Sequence, residues 1–350
     1  NKYDLNKIDT EILELEVEKA EVDEKVRVLL QENAQNKDRI EELGSTLYLY
    51  YENEMGQNEI AQKLGISRPT VSKLLKEAKE RGYLRIEIVG PQEQNCYKLE
   101  RELEEKFGLK EAIVVEDKHD YIFQKEELGA EVAKYLYRII QEGDIIGVSM
   151  GTTLKMVPQH AKVKRFNKIE FIPLVGGIGE ADMTTHSNQL VVELSKGMGG
   201  KFKLLHGPAI VSNENIINIL RQDKNIKDVF KAMDKMNIAV VGIGSPIDEN
   251  SNVIKNGYFN SKDIETFKER KAAGDICLNV YDIDGNIQNY EYNKCVFGMN
   301  IEKLRDVDKV VGIACGIEKL NAVIGAINGN YVNVLAVNYS LAKALLDYQL

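Results

Sequence analysis

One pattern recurs through the second half of the chain: a run of β-branched and other apolar residues, a turn that contains glycine, and then a helical stretch. It appears in DIIGVSMGTTLKMVPQH, in FIPLVGGIG with NQLVVELSKGM, in IAVVGIGSP, in VVGIACGIEKLNAVIGAI and in VNVLAVNYSLAKALL. Repeated strand-turn-helix units predict a mostly parallel sheet with helices on both faces. Ligands bind such sheets at the carboxyl ends of the strands. The sequence therefore predicts an α/β domain, which we place at residues 91–350.

The turn at residues 147–154, GVSMGTTL, is the most informative of these turns. A strand that ends at Val148 leads to Gly151, and Thr152 and Thr153 then begin a helix. Glycine lets backbone N–H groups approach an anion, while a helix N-terminus and two hydroxyls add further donors. This combination suits a phosphate, although glycine turns followed by a threonine cap are also common where no ligand binds. Because the chain has neither a P-loop motif nor a complete G-x-G-x-x-G after a strand, ATP and dinucleotides are disfavoured.

The segment at residues 57–85, QNEIAQKLGISRPTVSKLLKEAKERGYLR, predicts a second kind of unit. Two apolar stripes at helical spacing are separated by Gly65, and the second ends before Gly82. Ser67 is a natural N-cap for the second helix, and Pro69 fits its first turn. Two short helices joined through a glycine turn predict a helix-turn-helix, whose second helix enters the major groove. The alternating run YLRIEIV then predicts a short strand, so we place an all-α winged helix-turn-helix domain at residues 45–90.

The second helix of this unit presents a polar face beside its apolar stripe. Residues 56–85 contain seven Lys or Arg against three Asp or Glu, a surplus of +4 in a chain whose net charge is -9. A basic island in an acidic chain is typical of DNA backbone binding, whereas a solvated helix face is the alternative. The predicted DNA-binding residues are Gln57, Ser67, Arg68, Pro69, Thr70, Ser72, Lys73 and Lys76.

A heptad seam runs from Leu5 to Tyr50, because the apolar positions recur in alternating steps of three and four. Lys19 and Asn33 fall at a positions, where they favour a defined two-stranded register. The segment at residues 1–44 is therefore either a dimeric coiled coil or a helix that packs on its own chain, with an interruption at residues 44–45. Residues 1–55 contain fifteen acidic and seven basic residues, which indicates that this arm stays off DNA.

Composition excludes several other classes of protein. No apolar run reaches membrane-spanning length and the chain begins with charged residues, so we expect a cytoplasmic protein without a membrane partner. The four cysteines are widely spaced, which argues against a zinc cluster or a disulfide framework. We therefore expect no metal and no cofactor. These cysteines are Cys96, Cys277, Cys295 and Cys315.

The stretch QNEIAQKLGISRPTVSKLLKEAKERGYLRIEI closely resembles the DNA-binding segment of the SorC-type family of bacterial sugar-responsive transcription regulators, including its deoxyribonucleoside-regulator branch. The resemblance extends, more thinly, to Leu350 and leaves out the first 44 residues. It implies a Rossmann-like C-terminal domain with the phosphosugar isomerase and CoA-transferase fold, whose turn at residues 147–154 holds the phosphate of a sugar phosphate. It also implies a homodimer or homotetramer that binds double-stranded operator DNA.

The same resemblance, taken position by position, implies an effector site. Asp275 corresponds to an acidic residue available for sugar hydroxyls, and Lys319 corresponds to a lysine that pairs with phosphate. His186 and Asn188 fall in a polar loop that supplies hydrogen bonds in related members, while Cys315 stands where the family more often has glycine. Each also has a simpler alternative: Asp275 as a turn cap, His186 as an exposed loop residue, Lys319 as a solvated helix residue. The implied effector-binding residues are Gly151, Thr152, Thr153, Gly176, Gly177, His186, Asn188, Asp275 and Lys319.

Three functions are compatible with this domain arrangement. The first is a DNA-binding transcription regulator whose operator affinity is controlled by a phosphorylated sugar. The second is a sugar-phosphate isomerase or lactonase fused to a helix-turn-helix, which needs a positioned acid/base pair. Only Asp275, His186 and Glu180 are candidates for that pair, and their spacing forms no recognisable catalytic motif. The third, a protein-binding module, is disfavoured by the SRPTVSKLLK face, so we expect the regulator.

Overall fold

A computed structural model describes residues 36–84, 93–177, 183–247, 252–255 and 257–349, with the backbone alone at 93–95, 183, 252 and 253. The chain divides into two compact units, residues 1–89 and 90–350, and each is described by itself. Three predictions lie outside the described residues: the heptad seam up to residue 35, the strand expected after residue 84, and the position of Glu180.

The described part of the first unit consists of helices joined by short turns. Residues 36–47 form α1, which continues as a π-helix over Tyr48–Glu52. Helix α2 spans Gln57–Leu64 and α3 spans Arg68–Glu80. Gly65 ends α2 in a left-handed conformation with φ of 68°, and the hydroxyl of Ser67 accepts a hydrogen bond from the N–H of Thr70. The predicted helix-turn-helix is confirmed.

Helix α1 runs through Gly44 and Ser45 without a break, so the predicted interruption there is wrong. A glycine inside a helix costs about 1 kcal/mol relative to alanine, and the packing of α1 offsets that cost. Leu43 is 1% exposed and packs against Leu74 and Ala78 of α3. At this point, therefore, the apolar stripe of α1 is covered by its own chain.

The second unit is an α/β domain, which confirms the predicted class. Seven parallel strands form one sheet and an antiparallel hairpin forms a second. The strands are β1 Glu111–Val115, β2 Ile145–Val148, β3 Phe166–Pro173, β4 Gly199–Phe202, β5 Ile238–Gly242, β6 Ala272–Ile276, β7 Asn279–Asp282, β8 Lys309–Ala314 and β9 Val334–Asn338. The large sheet has the order β1-β9-β8-β5-β2-β3-β4, and β6 pairs with β7.

Helices cover both faces of the large sheet, as expected when strands alternate with helices. In β5, Ile238 and Val240 belong to the apolar core on one face, while Ala239 and Val241 belong to the core on the other. The helices are α4 Glu93–Phe107, α5 Tyr121–Ile139, α6 Val157–His160, α7 Ser187–Met198, α8 Glu214–Leu220, α9 Lys224–Met233, α10 Asn252–Lys255, α11 Ser261–Glu269, α12 Leu320–Asn328 and α13 Tyr339–Asp347. No described helix is long and apolar enough to span a membrane.

The strand order creates a crevice between β2 and β5. From β2 the chain continues to β3 and β4 on one side, then returns to β5 on the other side of β2. The loops that follow β2 and β5 therefore leave in opposite directions. In open α/β sheets, ligands bind at this reversal, outside the carboxyl ends of the strands.

Helix α4 protects the outer edge of the large sheet. The backbone N–H groups of Ala112 and Val114 in β1 donate to the carboxylates of Glu104 and Glu100, at 3.0 and 2.8 Å. An edge strand with unpaired N–H groups invites pairing with another chain, and these two side chains satisfy the groups instead. Burial raises the pKa of Glu100 to about 7, partly opposed by the hydrogen bond from Val114.

Candidate functional site

A cavity of about 450 Å³ lies at the carboxyl ends of β2, β5 and β8. Its walls include residues 150–154 after β2, residues 242–244 at the end of β5, and residues 313–315 at the end of β8. The cavity thus occupies the reversal point between β2 and β5, where the topology places a ligand.

Ser149 ties the two central loops together beneath this cavity. The residue is completely buried, and its N–H donates to the carbonyl of Val240 at 3.0 Å. Its hydroxyl accepts a hydrogen bond from the N–H of Gly242, also at 3.0 Å. Since both contacts reach β5, the turn that follows β2 is fixed in place relative to the end of β5.

Thr152 and Thr153 line the cavity, and Thr153 is the N-cap of the helix predicted here, but this helix is short and begins in 3-10 form. They form a turn, which is followed by the 3-10 helix Leu154–Met156 and by α6, only 4 residues long. Pro158 has no N–H to donate to the carbonyl of Leu154, so an α-helical hydrogen bond cannot form there. The donors of this wall are therefore the hydroxyls and backbone of the turn, without the dipole of a long helix.

Asp275 forms part of the cavity wall and is 4% exposed. Its backbone pairs with Gly244, which draws the small hairpin against the end of β5. Among the described residues, no group donates a hydrogen bond to its Oδ1. Burial raises the pKa of Asp275 to about 6, against the opposing effect of Lys319. Asp275 thus places a buried carboxyl group in the cavity wall, with one oxygen that lacks a hydrogen-bond donor in the described part of the chain.

Lys319 also lines the cavity, at the junction between the 3-10 helix Ile317–Lys319 and α12. Its positive charge opposes the rise in the pKa of Asp275 that burial causes. Cys315, which stands before this junction, is buried and keeps a free thiol. The structure therefore brings together a subset of the predicted effector residues: Gly151, Thr152, Thr153, Asp275 and Lys319.

Gly176 and Gly177 do not belong to the part of the cavity wall that the structure describes. The N–H of Gly176 donates to the carbonyl of Phe297 at 2.8 Å, and a Cβ at this position would lie 2.7 Å from the carbonyl oxygen of Pro208. Close packing of backbone segments thus accounts for glycine at 176. A ligand contact by either glycine stays a prediction.

His186 and Asn188 are likewise absent from the described wall. His186 is 5% exposed, so it is not an exposed loop residue, and its Nε2 has no hydrogen-bond partner within the described ranges. The side-chain amide of Asn188 both accepts from the N–H of Leu205 at 2.9 Å and donates to its carbonyl at 3.0 Å. The structure therefore gives Asn188 a structural role, and effector contacts by these two residues stay predictions.

The sequence reasoning missed Tyr121 and Lys125, which reach the cavity from α5. Lys125 Nζ donates to Oγ1 of Thr152 at 2.8 Å and lies 4.3 Å from the centre of the Tyr121 ring. Burial lowers the pKa of Lys125, and Lys319 acts in the same direction. Helix α5 precedes all the cavity turns in the chain and carries no glycine turn or known motif, so no local signal marked these residues.

In the first unit, α3 buries its apolar stripe and exposes the face predicted to bind DNA. Val71, Leu74 and Ala78 are buried. Lys76 forms an exposed ion pair with Glu80 at 3.7 Å. In the predicted set, Gln57 and Thr70 are half-buried, and the exposed residues are Ser67, Arg68, Pro69, Ser72, Lys73 and Lys76.

No cluster of three or more His, Cys, Asp or Glu side chains in the described ranges is arranged to hold a metal ion. The polar groups that line the cavity include hydroxyls, ammonium groups, carboxylates and backbone amides. Such groups bind a polar, anionic small molecule through hydrogen bonds and charge.

Known proteins match both units of the chain. Residues 92–347 match the family model described as "Putative sugar-binding domain", and residues 46–92 match a model of the MarR family. The deoxyribonucleoside regulator of Bacillus subtilis (strain 168) is 33% identical over 300 residues, which covers 85% of this chain and 95% of that protein. The sorbitol operon regulator of Klebsiella pneumoniae is 33% identical over 318 residues, which covers 89% of this chain and 99% of that protein.

Solved structures agree with these matches. The crystal structure of the full-length sorbitol operon regulator SorC from Klebsiella pneumoniae aligns with a TM-score of 0.70 and 31% identity, covering 89% of this chain and 100% of that one. A DeoR family transcriptional regulator from Listeria monocytogenes aligns with a TM-score of 0.66 and 31% identity. The alignment covers 72% of this chain and 99% of that one.

Fold, cavity and matches together define a class: DNA-binding transcription regulators in which a helix-turn-helix is joined to an α/β sugar-binding domain. Regulators of this class respond to a ligand bound in the α/β domain. The chain belongs to the SorC-type family of sugar-binding transcription regulators. The family and the general function predicted from the sequence are thereby confirmed.

Proposed function

We propose that the ligand of this regulator is a phosphorylated sugar, held in the cavity at the ends of β2, β5 and β8. The observation that carries the proposal is the meeting, in one cavity, of a buried carboxylate, a lysine and a threonine turn. Sugar hydroxyls donate to the carboxylate of Asp275, whereas a phosphate accepts from Lys319 and from the turn that contains Thr152.

The size of the cavity and the names of the relatives support the same ligand class. A cavity of about 450 Å³ falls within the range of small-molecule sites. One relative is named for sorbitol, a sugar alcohol, and another for deoxyribonucleosides, which contain a sugar. Binding of the sugar phosphate then shifts the regulator between states of different operator affinity.

A thermal-shift screen tests this proposal. Sugar phosphates are compared with the same sugars without phosphate, because a ligand that binds only the folded state raises its melting temperature. We expect a phosphorylated sugar to raise the melting temperature and its unphosphorylated form to do so much less. The double variant Thr152→Val, Thr153→Val should lose this shift and still bind DNA. A normal shift in the double variant would place the ligand elsewhere.

We also propose that the cavity senses its ligand and does not convert it. Catalysis by an isomerase or lactonase requires an acid and a base in reach of the substrate. Of the candidates, Asp275 lines the cavity, whereas His186 is not in the described wall and Glu180 lies outside the described residues. Incubation of the protein with the sugar phosphate found in the screen should return it unchanged. Repeated turnover that is lost in Asp275→Asn would overturn this reading.

The regulator is further proposed to act as a homodimer or homotetramer on double-stranded operator DNA. One helix-turn-helix reads one half-site, and symmetric subunits read two half-sites about one helical turn apart or at a larger spacing. Light scattering with and without the DNA upstream of its own gene measures the assembly. A monomer bound to a single site at saturating protein would contradict it.

A further inference from the structure

We infer that Lys125 of α5 is a second cation for the anionic group of the effector, acting together with Lys319 from the far wall of the cavity. This inference rests on the proposed function, because it assigns a partner to the phosphate. It also gives a reason for that ligand class, because two ammonium groups favour a doubly charged phosphate monoester over a sugar acid with a single carboxylate.

The geometry places the ammonium of Lys125 at the threonine turn. Its Nζ donates to Oγ1 of Thr152 at 2.8 Å, and the distance from Nζ to the centre of the Tyr121 ring is 4.3 Å. An ammonium has three N–H donors, and Thr152 accepts one of them. Thr152 therefore holds the cation next to the surface where the phosphate is proposed to bind.

The charges around Lys125 point to an anionic ligand. Lys125 is half-buried, yet within the described part of the chain no carboxylate lies at ion-pair distance from its Nζ. Burial lowers its pKa, and Lys319 and Lys155 add to the lowering, while Glu318 acts in the opposite direction. A partly buried cation without a counter-ion is costly, and a bound anion removes that cost.

A doubly charged anion gains more Coulombic energy in this cavity than a singly charged one. Lys125, Lys255 and Lys319 line the cavity, together with Asp275 and Glu318. The attraction between an anion and its surroundings scales with the charge of the anion. A phosphate monoester therefore gains about twice the Coulombic energy of a carboxylate placed at the same point.

The first turn of α5 also contacts the opposite wall. The hydroxyl of Tyr121 donates to the carbonyl of Cys315 at 3.1 Å and lies 3.4 Å from a carboxylate oxygen of Glu318. This turn thus bridges the threonine turn after β2 and the loop after β8. A phosphate held by Lys125 and Lys319 would join the same two walls through the ligand.

The test compares four variants of the full chain with the wild type, using inorganic phosphate and acetate as probes. Lys125→Met and Lys125→Gln remove the charge, Lys125→Arg keeps it, and Lys134→Met is the matched control. Lys134 lies on the same helix, its side chain is 73% exposed, and it pairs with Glu131 on the surface. Calorimetric titration gives the dissociation constant for each probe.

We expect Lys125→Met and Lys125→Gln to weaken phosphate binding by about 10- to 100-fold, the range of a charge-assisted hydrogen bond. Lys125→Arg should keep most of the affinity, and Lys134→Met all of it. The preference for phosphate over acetate should fall in the uncharged variants, whereas a merely loosened cavity would weaken both probes alike and leave that preference intact.

The outcomes separate the two proposals. Equal phosphate affinity in the wild type and in both uncharged variants would refute the role of Lys125 and leave the proposed effector class standing. An unchanged preference for phosphate over acetate would refute it as well. A wild type that binds neither phosphate nor any sugar phosphate would refute the proposed effector class itself.

Discussion

The backbone of Asp275 is hydrogen-bonded to the backbone of Gly244 in both directions, at 2.9 and 3.2 Å, and its carboxylate fills the space beside the Gly244 α-carbon. A Cβ at position 244 would lie 2.0 Å from Oδ1 of Asp275. Real carbon and oxygen atoms do not approach this closely, so any side chain at 244 displaces the carboxylate. The end of β5 therefore requires glycine for Asp275 to stand at the cavity wall.

Gly244→Ala should abolish the response to the sugar phosphate while DNA binding persists. The added methyl group pushes the Asp275 carboxylate out of position, and overpacking of this kind costs about 1 to 3 kcal/mol of stability. The ligand-induced change in melting temperature and the DNA affinity by fluorescence anisotropy are measured on the same preparation. Gly44→Ala is the control, since a Cβ there meets nothing within 4 Å. A variant at 244 that still responds fully would show that the carboxylate does not contact the ligand.

Asp275 should also make the stability of the protein depend on pH. Burial raises its pKa from 3.8 to about 6, so the folded state favours the neutral acid. The contribution of the neutral Asp275 carboxyl group to the free energy of unfolding is therefore complete below pH 3.8. It is lost as the pH rises through about 6. In Asp275→Asn this pH-dependent loss of stability is absent, so between pH 4 and pH 7 the free energy of unfolding of the variant should rise relative to the wild type by about 2 kcal/mol. Urea unfolding at the two pH values measures the difference, and a gap that does not change with pH would contradict the prediction.

The parts of the fold that the sequence predicted follow from periodicity and turn chemistry. Alternating strand and helix patterns specify the parallel sheet, and the stripes around Gly65 specify the helix-turn-helix, because each is a local signal. The threonine turn was found for the same reason, because Gly151 and Thr152 lie close behind the end of a strand. Local signals thus identified one wall of the cavity.

The other walls depend on contacts between distant segments. The hairpin of β6 and β7 turns at Cys277 and Leu278, whose φ angles are 51° and 65°, although neither is the glycine or asparagine that such a turn favours. No sequence rule predicts a hairpin there, yet this hairpin carries Asp275 to Gly244. Lys125 was missed similarly, because its contact with Thr152 joins residues from two separate elements.

Arg68→Ala should weaken operator binding by about 1 to 3 kcal/mol without unfolding the first unit. Arg68 begins α3 and is exposed, while the buried side of the helix, with Val71 and Leu74, remains intact. Lys79→Ala is the matched control: it also removes one exposed positive charge, but from the last turn of the same helix. Anisotropy titrations at constant salt compare the two. Equal losses in both variants would mean that Arg68 contributes only general charge, and the assignment of the recognition face would have to be abandoned.

Lys106→Met should destabilise the second unit, because it removes hydrogen bonds to the C-terminal end of α13. Lys106 Nζ donates to the carbonyls of Leu345 and Leu346, at 3.1 and 2.7 Å, and also to that of Tyr348. The first two carbonyls belong to the last turn of α13 and the third to its C-cap, so the ammonium supplies hydrogen bonds that the helix itself cannot make.

Loss of these charged hydrogen bonds should cost about 1.5 to 3 kcal/mol, measured by urea unfolding. Lys98→Met is the control. Lys98 lies in the same helix, α4, but it is exposed and makes only a surface ion pair with Glu102 at 3.6 Å. Hydrogen exchange should further show faster exchange in α13 of Lys106→Met alone. If both variants unfold at the same urea concentration as the wild type, the terminal carbonyls are adequately solvated without the lysine and α13 is held by Leu341 and Leu345, which are fully buried.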